Sequence, residues 1–572
     1  MAHSSDSLVF RADRPWPNAR LKTGAIVGHA TASSVRLWVR TGRPGDFSLL
    51  LYEAREAMES PAERKRLRAA IGVAPLTTAA ATSGARWPGG RVPRRIDFEI
   101  PDWSSDTTHV LDITGLEPDT WYGYAVLARD DERMLFGHNR LRRFRTPPPE
   151  AERRPFRIAL FSCHMPYRVS GLFHKRTELA SPEMWDYLGA TLRDAEDEVA
   201  VVIAGGDQAY ADGVPTLDIW KLLNRSMRRE GGQLVPDEED MLSWYRDIYR
   251  GYWGFESVQR VFDRYPTYMI WDDHEIADGW GSRHLGDDGP DDGLAQMLPD
   301  LEDRGLSRAD GRVLVQRMFA AAVRAYEEYQ HSHNPGTAPG LWDYAFRRGG
   351  AAFYVLDGRG NRNIERDTNR ILGSPQLERL EEWAAGLDPD ETPFVFVTSA
   401  VPLLHARAAL VGADSRRIVE ALDLGDDLRD AWEHGLHDEE RRALLAVLLG
   451  LARRGHRVAV LSGDVHVSAA FSIEDDGARI WQLTSSAISR HYSRLLSWGL
   501  RFGAADDGLT PDGHRFVRHA LYVDASYALV RVDPAESRAW FEIYGAQQVD
   551  PPPGYGQRTF PLRNAICRIE IS

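Results

Sequence analysis

The stretch VVIAGGDQAYAD at residues 201–212 places a short apolar run directly before a Gly-Gly-Asp turn. Residues 201–204 are continuously apolar rather than alternating, which is typical of a strand buried on both faces of a parallel sheet. Open sheets of this class gather their active sites at the carboxyl ends of their strands. The stretch therefore predicts an α/β fold with a functional site that includes Asp207.

Four further apolar runs end in the same way, with polar side chains just beyond the strand. Their endings read SCH at 162–164, WDDHE at 271–275, LDGR at 356–359 and SGDVH at 462–466. Helical patterns lie between the runs, for example over residues 312–332 and 436–454. Strands that alternate with helices predict βαβ units, so the five polar endings are expected to converge at one edge.

The chain before these runs has a different pattern. Residues 23–55 and 93–146 alternate between apolar and polar in short runs, which predicts half-buried antiparallel strands. LEPDTWY at 116–122 resembles the corner of fibronectin type III-like sandwiches. Three prolines at 147–149 form a stiff boundary. We expect an N-terminal β-sandwich over 1–148 and a catalytic domain over 149–572, with insertions near 212–263 and 279–341.

Composition excludes several classes of protein. The chain has 572 residues, of which 43% are hydrophobic and 27% charged, as in a soluble globular protein. The net charge of -14 argues against a general nucleic-acid binder. The two cysteines, Cys163 and Cys567, lie too far apart in sequence to indicate a disulfide scaffold. No apolar run is long enough for a membrane span, and no signal peptide is visible, so a cytoplasmic location is expected.

The side chains at the five endings are potential metal ligands. Asp207, Asp273, Asp464 and His466 offer carboxylates and an imidazole, whereas Cys163 and Tyr210 offer a thiolate and a phenolate. Thiolate and phenolate favour a ferric or other transition ion, and the carboxylates favour a harder divalent ion. If Asp207 bridges two ions, the pair can hold a phosphate ester and activate water as a metal-bound hydroxide.

Two further residues complete the expected chemistry. His274 would lie beside the leaving group, where it could act as a general acid. Arg359 offers a planar fork for the nonbridging phosphate oxygens. Asp272 is expected to support the site without binding the ion, and His164 and His405 are left outside the site because lone histidines at strand ends are mostly structural.

Taken together and in this order, the five endings resemble the motifs of the alkaline phosphatase D (PhoD-like) family of metallophosphatases. The resemblance implies a metallophosphoesterase-like sheet sandwich behind the fibronectin III-like domain. It also implies that Cys163, Asp207, Tyr210 and His466 hold Fe3+, and that Asp207, Asp273 and Asp464 hold Ca2+ or another divalent ion such as Mn2+, Zn2+ or Mg2+. The implied activity is hydrolysis of small or polymeric phosphomonoesters or phosphodiesters at a dinuclear or trinuclear centre.

This chain departs from the family pattern in two places. Members are commonly exported with a twin-arginine signal, which is not seen here, and the segment after LDGR reads Gly360-Asn361-Arg362 instead of an aromatic residue followed by a second arginine. Three alternatives stay open. They are a catalytically silent, metal-stabilised binding module, a phospholipase D-like diesterase, and a thiol hydrolase with Cys163 as nucleophile and His466 as base.

Overall fold

The computed structural model describes most of the chain. The described residues are 19–53, 94–130, 134–135, 142–170, 176–179, 183–195, 198–212, 218–281, 293–362, 370–405, 430–489, 504–547, 560–561 and 565–571. The fold is mixed α/β and contains several sheets.

The front of the chain forms two antiparallel sheets that share a core. The first has the order β1-β2-β5 and the second the order β4-β3-β6-β7. The strands are β1 (Gly24–Ala30), β2 (Ser34–Arg40), β3 (Gly45–Glu53), β4 (Arg94–Ile100), β5 (Thr108–Thr114), β6 (Trp121–Ala128) and β7 (Arg142–Arg145). In the predicted corner, the Tyr122 hydroxyl accepts a hydrogen bond from the backbone N–H of Glu117 at 2.8 Å. Assignment to the fibronectin III class and the boundary at 148 stay predictions.

A seven-stranded sheet forms the first half of the rear body. Its strands are β8 (Phe156–Phe161), β11 (Val199–Gly205), β14 (Thr267–Ile270), β23 (Ser526–Asp533), β24 (Arg538–Gln547), β25 (Phe560–Pro561) and β26 (Cys567–Ile571). The order is β14-β11-β8-β23-β24, with β25 and β26 both paired to β24. The first three strands are parallel, so their carboxyl ends lie at one edge of the sheet.

An eight-stranded sheet forms the second half. Its strands are β15 (Tyr344–Arg348), β16 (Ala351–Val355), β17 (Phe394–Thr398), β18 (Arg457–Ser462), β19 (Ser468–Asp475), β20 (Ala478–Thr484), β21 (Gly508–Leu509) and β22 (Arg515–Tyr522). The order is β15-β16-β17-β18-β20-β19-β22-β21, and β16, β17, β18 and β20 run parallel. The five polar endings therefore belong to two sheets, three to the first and two to the second.

Helices and two hairpins fill the connections. The helices are α1 (Glu183–Asp194), α2 (Ile219–Ser226), α3 (Glu238–Tyr252), α4 (Glu256–Phe262), α5 (Gly293–Met297), α6 (Arg308–Tyr329), α7 (Ser374–Ala385) and α8 (Asp438–Arg453). The hairpins pair β9 (Tyr167–Ser170) with β10 (Arg176–Leu179) and β12 (Arg228–Glu230) with β13 (Gln233–Val235). The two expected insertions carry α2 to α6, although residues 213–217 and 282–292 lie outside the described part. No described helix is long and apolar enough to cross a bilayer.

The two rear sheets meet through backbone hydrogen bonds at their carboxyl ends. The N–H of Ile488, just beyond β20 of the second sheet, donates to the carbonyl of Ser162, just beyond β8 of the first sheet, at 3.0 Å. Next to this contact, the N–H of Cys163 donates to the carbonyl of Gly206 at 3.2 Å, which joins two strand ends of the first sheet. A Cβ atom on Gly463 would lie 2.4 Å from the Cβ of Ser162. Glycine is needed at 463 because the two sheets approach too closely there for any side chain.

A buried ion-pair network joins the front sandwich to the helices of the rear body. Asp106, which precedes β5, pairs with Arg40 of β2 at 3.0 Å and with Arg250 of α3 at 2.7 Å. The Tyr329 hydroxyl, at the end of α6, donates to the same carboxylate. Asp106 and Arg40 are each only 3% exposed, so the charges compensate one another away from water.

Candidate metal centre

The backbone adopts an uncommon conformation at four of the predicted ligands. Cys163, Asp207, Asp464 and His466 have φ angles of 54°, 59°, 60° and 55°, in the left-handed region. Residues other than glycine rarely adopt this conformation, which costs about 1–3 kcal/mol each and is concentrated at functional sites. All four residues lie directly after the ends of β8, β11 and β18.

Two of the predicted ligands, Cys163 and Tyr210, contact a third, Asp207. Its Oδ2 atom lies 3.3 Å from the Cys163 sulfur and accepts a hydrogen bond from the Tyr210 hydroxyl at 3.1 Å. All three side chains are buried. Burial, together with the carboxylates of Asp207 and Asp464, raises the pKa of Cys163 well above its ordinary value.

A cluster of carboxylates lies beside this group. One ligand atom from each of Asp207, Asp272, Asp273 and Asp464 lies within 4.8 Å of all the others, and Asp207, Asp273 and His274 form a second such group. Among the described residues, neither group contains Cys163 or His466. Asp272 was expected only to support the site, yet its carboxylate is a member of the cluster.

The chemistry of the cluster fits a bound cation. The oxygens Asp207 Oδ1, Asp272 Oδ2 and Asp273 Oδ1 are buried and accept no hydrogen bond. Burial followed by mutual repulsion among the carboxylates raises the pKa of Asp464 well above its usual value, and burial raises that of Asp272 to about 6. Buried carboxylates are normally hydrogen-bonded, paired with a positive charge or bound to a metal. Asp273 Oδ1 lies 3.6 Å from Nη2 of Arg359, and metal ions would supply hydrogen-bond-free Asp207 Oδ1 and Asp272 Oδ2 with a positively charged partner.

The backbone of His466 is linked to Cys163 through Ser486. Its N–H donates to the Ser486 hydroxyl at 3.1 Å, and that hydroxyl donates to the Cys163 sulfur at 3.0 Å. Ser486 was not identified from the sequence. The sequence signal for it is the strand-like run Ile-Trp-Gln-Leu at 480–483, which also ends in polar residues, Thr484-Ser485-Ser486.

His274 is held on two sides at the edge of the cluster. Its Nδ1 donates to Oδ1 of Asp212 at 2.7 Å, and its ring packs on that of Tyr210 with 4.1 Å between centroids. Burial alone would lower the pKa of His274, but the carboxylates of Asp212, Asp273 and Asp207 outweigh it and raise the pKa well above 6.5. Asp212 was missed as a site residue, although it ends the GGDQAYAD motif.

Arg359 lies behind the carboxylates. Its Nη1 and Nη2 bind the two oxygens of Asp430 at 2.8 and 2.5 Å, Nη1 also donates to the carbonyl of Trp280, and Nε donates to Asp272. The side chain is 0% exposed, and a buried guanidinium needs carboxylate partners. In this arrangement, four of the five N–H groups of the guanidinium already donate hydrogen bonds to the protein. The expected contact between Arg359 and the phosphate oxygens stays a prediction.

Comparisons with known proteins fit this architecture. A family model described as PhoD-like phosphatase matches residues 181–500. The solved structure titled "Structure of PhoD" matches with a TM-score of 0.58 at 15% identity, over 97% of this chain and 92% of that one. That likeness shows a shared fold. The structure of the purple acid phosphatase PPD1 from yellow lupin (Lupinus luteus) seeds aligns with a TM-score of 0.47 at 12% identity, over 92% of this chain and 72% of that one.

A curated relative is also similar in sequence. The uncharacterized protein YGR266W of Saccharomyces cerevisiae is 22% identical over 323 residues, which cover 47% of this chain and 44% of the yeast protein. The matched region is thus less than half of that relative's length. The family model, by contrast, covers more than half of the present chain, and the chain therefore belongs to the PhoD-like phosphatase family.

Proposed function

We propose that the protein is a metal-dependent hydrolase of phosphate esters, acting on phosphomonoesters, phosphodiesters or both at a dinuclear or trinuclear centre. The observation that carries the proposal is the set of three buried carboxylate oxygens, on Asp207, Asp272 and Asp273, that accept no hydrogen bond. Such a set is costly in the absence of a cation. Membership of a phosphatase family supports the same reaction class.

The donors divide into two groups of different chemistry. Cys163, Tyr210, Asp207 and His466 would hold Fe3+, because thiolate, phenolate and imidazole suit a transition ion. Asp207, Asp273 and Asp464 would hold Ca2+ or another divalent ion, because hard cations take carboxylate oxygens. Bound ions would supply the positive charge that activates water for attack on phosphorus and stabilises the phosphoryl oxygens.

The protein's own side chains would manage the leaving group. As water adds to phosphorus and the ester P–O bond breaks, His274 would donate a proton to the departing oxygen, giving an alcohol and a phosphate. Asp212 fixes Nδ1 of His274, which leaves Nε2 as the atom that can deliver this proton. Arg359 would orient Asp272 and Asp273, and its contact with the nonbridging phosphate oxygens stays a prediction from the sequence.

The thiol hydrolase alternative is less favoured by the surroundings of Cys163. The sulfur is fully buried, it receives hydrogen bonds from two serine hydroxyls, and two carboxylates raise its pKa. A thiol nucleophile needs an exposed, electropositive environment that lowers its pKa. These surroundings suit a sulfur that becomes a thiolate only when a cation binds it.

Elemental analysis of purified protein tests the proposal when combined with hydrolysis assays before and after chelation. An aryl phosphomonoester and an aryl phosphodiester would be compared, so that the faster one identifies the ester class. We expect iron with a divalent partner and turnover that chelation abolishes and metal restores. If the metal-free protein kept full turnover, the thiol hydrolase with Cys163 as nucleophile would be favoured. If the metal-loaded protein hydrolysed neither ester, the catalytically silent binding module would be favoured. The cytoplasmic location stays a prediction, checked by cell fractionation.

A further inference from the structure

Glu275, the last residue of WDDHE, lies between the loops that follow β11 and β14. Its Oε2 atom accepts hydrogen bonds from the backbone N–H groups of Asp207 at 3.0 Å and Asp272 at 2.8 Å. Its Oε1 atom accepts from the N–H of Gln208 at 2.5 Å. The side chain is only 2% exposed, so one buried carboxylate binds the backbones of two neighbouring strand ends.

The carboxylate is itself anchored from the opposite side. Gln330, just after α6, donates from Nε2 to Oε1 of Glu275 at 2.9 Å and to the hydroxyl of Tyr249 at 3.1 Å. Tyr249 stacks on Tyr329 with 4.8 Å between ring centroids, and Tyr329 donates to Asp106 of the front sandwich. Glu275 is therefore held directly by Gln330, and a chain of contacts continues from Gln330 through Tyr249 of α3 and Tyr329 of α6 to Asp106.

This anchoring matters because both loops carry candidate ligands. Asp207 sits in the left-handed region, with φ of 59°, and such a conformation persists only when its surroundings enforce it. Asp272 and Asp273 follow β14 and contribute to the same carboxylate cluster. The hydrogen bonds of Glu275 connect the backbones of these two loops.

We propose that Glu275 is a positioning residue of the metal centre, acting through the backbones of Asp207 and Asp272 and not by contact with an ion. The proposal deepens the proposed function and rests on it. Residues that orient metal ligands by hydrogen bonds typically change metal affinity by about 10–100-fold when they are replaced.

Glu275→Gln tests the proposal with little change in shape. A carboxylate offers two acceptor oxygens, whereas the amide offers one oxygen and one NH2 group that cannot accept from a backbone N–H. If the NH2 group replaces Oε1, the bond from Gln208 is lost; if it replaces Oε2, the bonds from Asp207 and Asp272 are lost. We expect Mn2+ to bind the chelator-stripped full-length protein about 10–100-fold more weakly, measured from the paramagnetic resonance signal of free Mn2+.

Glu440 provides a matched control elsewhere in the fold. Its carboxylate accepts from the backbone N–H groups of Ile371 at 2.5 Å and Gly373 at 2.7 Å, directly before α7, and residues 370–373 contain none of the predicted metal ligands. Glu440→Gln makes the same chemical change to the same kind of backbone anchor. We expect it to leave Mn2+ affinity unchanged, even if both variants lower the melting temperature of the metal-free protein.

Glu275→Asp keeps the negative charge but shortens the side chain by one methylene, and it serves if the glutamine variant fails to fold. We expect its Mn2+ affinity and its Mn2+-induced rise in melting temperature to fall between those of the wild type and Glu275→Gln. Equal Mn2+ affinity in the wild type and both Glu275 variants would overturn this inference alone. Wild-type protein that binds no Mn2+, Fe3+ or Ca2+ would overturn the proposed function and this inference with it.

Discussion

Nδ1 of His274 lies 2.7 Å from Oδ1 of Asp212, and the second oxygen of the same carboxylate accepts the backbone N–H of Asp278. The pair joins the loop after β11 to the turn after β14. It occupies Nδ1 of the imidazole and leaves Nε2 as the ring nitrogen for the proton transfer proposed for His274.

His274→Ala is expected to slow alkyl phosphate esters by about 100-fold or more, and nitrophenyl esters much less, because only a poor leaving group needs protonation. Asp212→Asn should show the same selectivity with a smaller loss. Steady-state kinetics over a series of leaving groups measure both effects. Asp475→Asn is the control, because it alters another histidine–aspartate pair, with His514 at 3.2 Å, that lies outside the site. It should change the hydrolysis rate of neither the alkyl nor the nitrophenyl esters. Equal losses on both ester classes would rule out the acid role.

Asp207→Asn is expected to abolish turnover and to remove at least one metal ion per chain. The side chain is fully buried, and its two oxygens face different neighbours, Oδ2 towards Cys163 and Tyr210 and Oδ1 without a hydrogen bond. An amide keeps the shape but lacks the charge that a bridging ligand needs. Elemental analysis beside the hydrolysis assay provides the measurement, and a fully active variant with unchanged metal content would refute the assignment.

Asp106→Asn is expected to destabilise the protein by about 3–5 kcal/mol, because it removes the carboxylate that pairs with buried Arg40 and leaves Arg250 with Asp247 as its carboxylate partner. Asparagine tolerates the φ of 49° at this position, so the backbone is not the cause. Asp130→Asn is the control, since its pair with Arg43 is exposed to solvent and such pairs contribute about 0–1 kcal/mol. Thermal unfolding distinguishes them, and similar melting temperatures for both variants would contradict a structural role for the network.

Gly463→Ala is expected to cost about 1–3 kcal/mol by overpacking the contact between the two rear sheets. The added Cβ would lie 2.4 Å from the Cβ of Ser162 and 2.6 Å from the carbonyl oxygen of Gly205. Gly450→Ala, inside α8 and with no atom beyond the adjoining backbone of its own helix within 4 Å of the new Cβ, should instead stabilise the protein by about 1 kcal/mol. Opposite shifts in melting temperature are the predicted result, and a neutral Gly463→Ala would show that the sheets can separate there.

Individual strands and helices could be predicted because each depends on the order of apolar and polar residues within a short stretch of sequence. The continuous apolar runs before Asp207 and Asp464 correspond to strands β11 and β18, and the helical periodicities at 312–332 and 436–454 correspond to α6 and α8. The family resemblance is confirmed by the family model. The partners of Arg359 could not be predicted, since Asp430 and Asp272 are distant from it in sequence and reach it only when the loops pack together.

The sequence by itself determined the strand endings, because buried strands require continuous apolar residues and active-site loops require polar ones immediately after them. It also supplied the types of ligand atom. Tertiary structure alone decided that these endings come from two sheets, that Glu275 holds two of the loops and that Asp212 holds His274. The physical reason is that hydrogen bonds and charge pairs act over a few ångströms, and only packing brings residues that are far apart in sequence within that range.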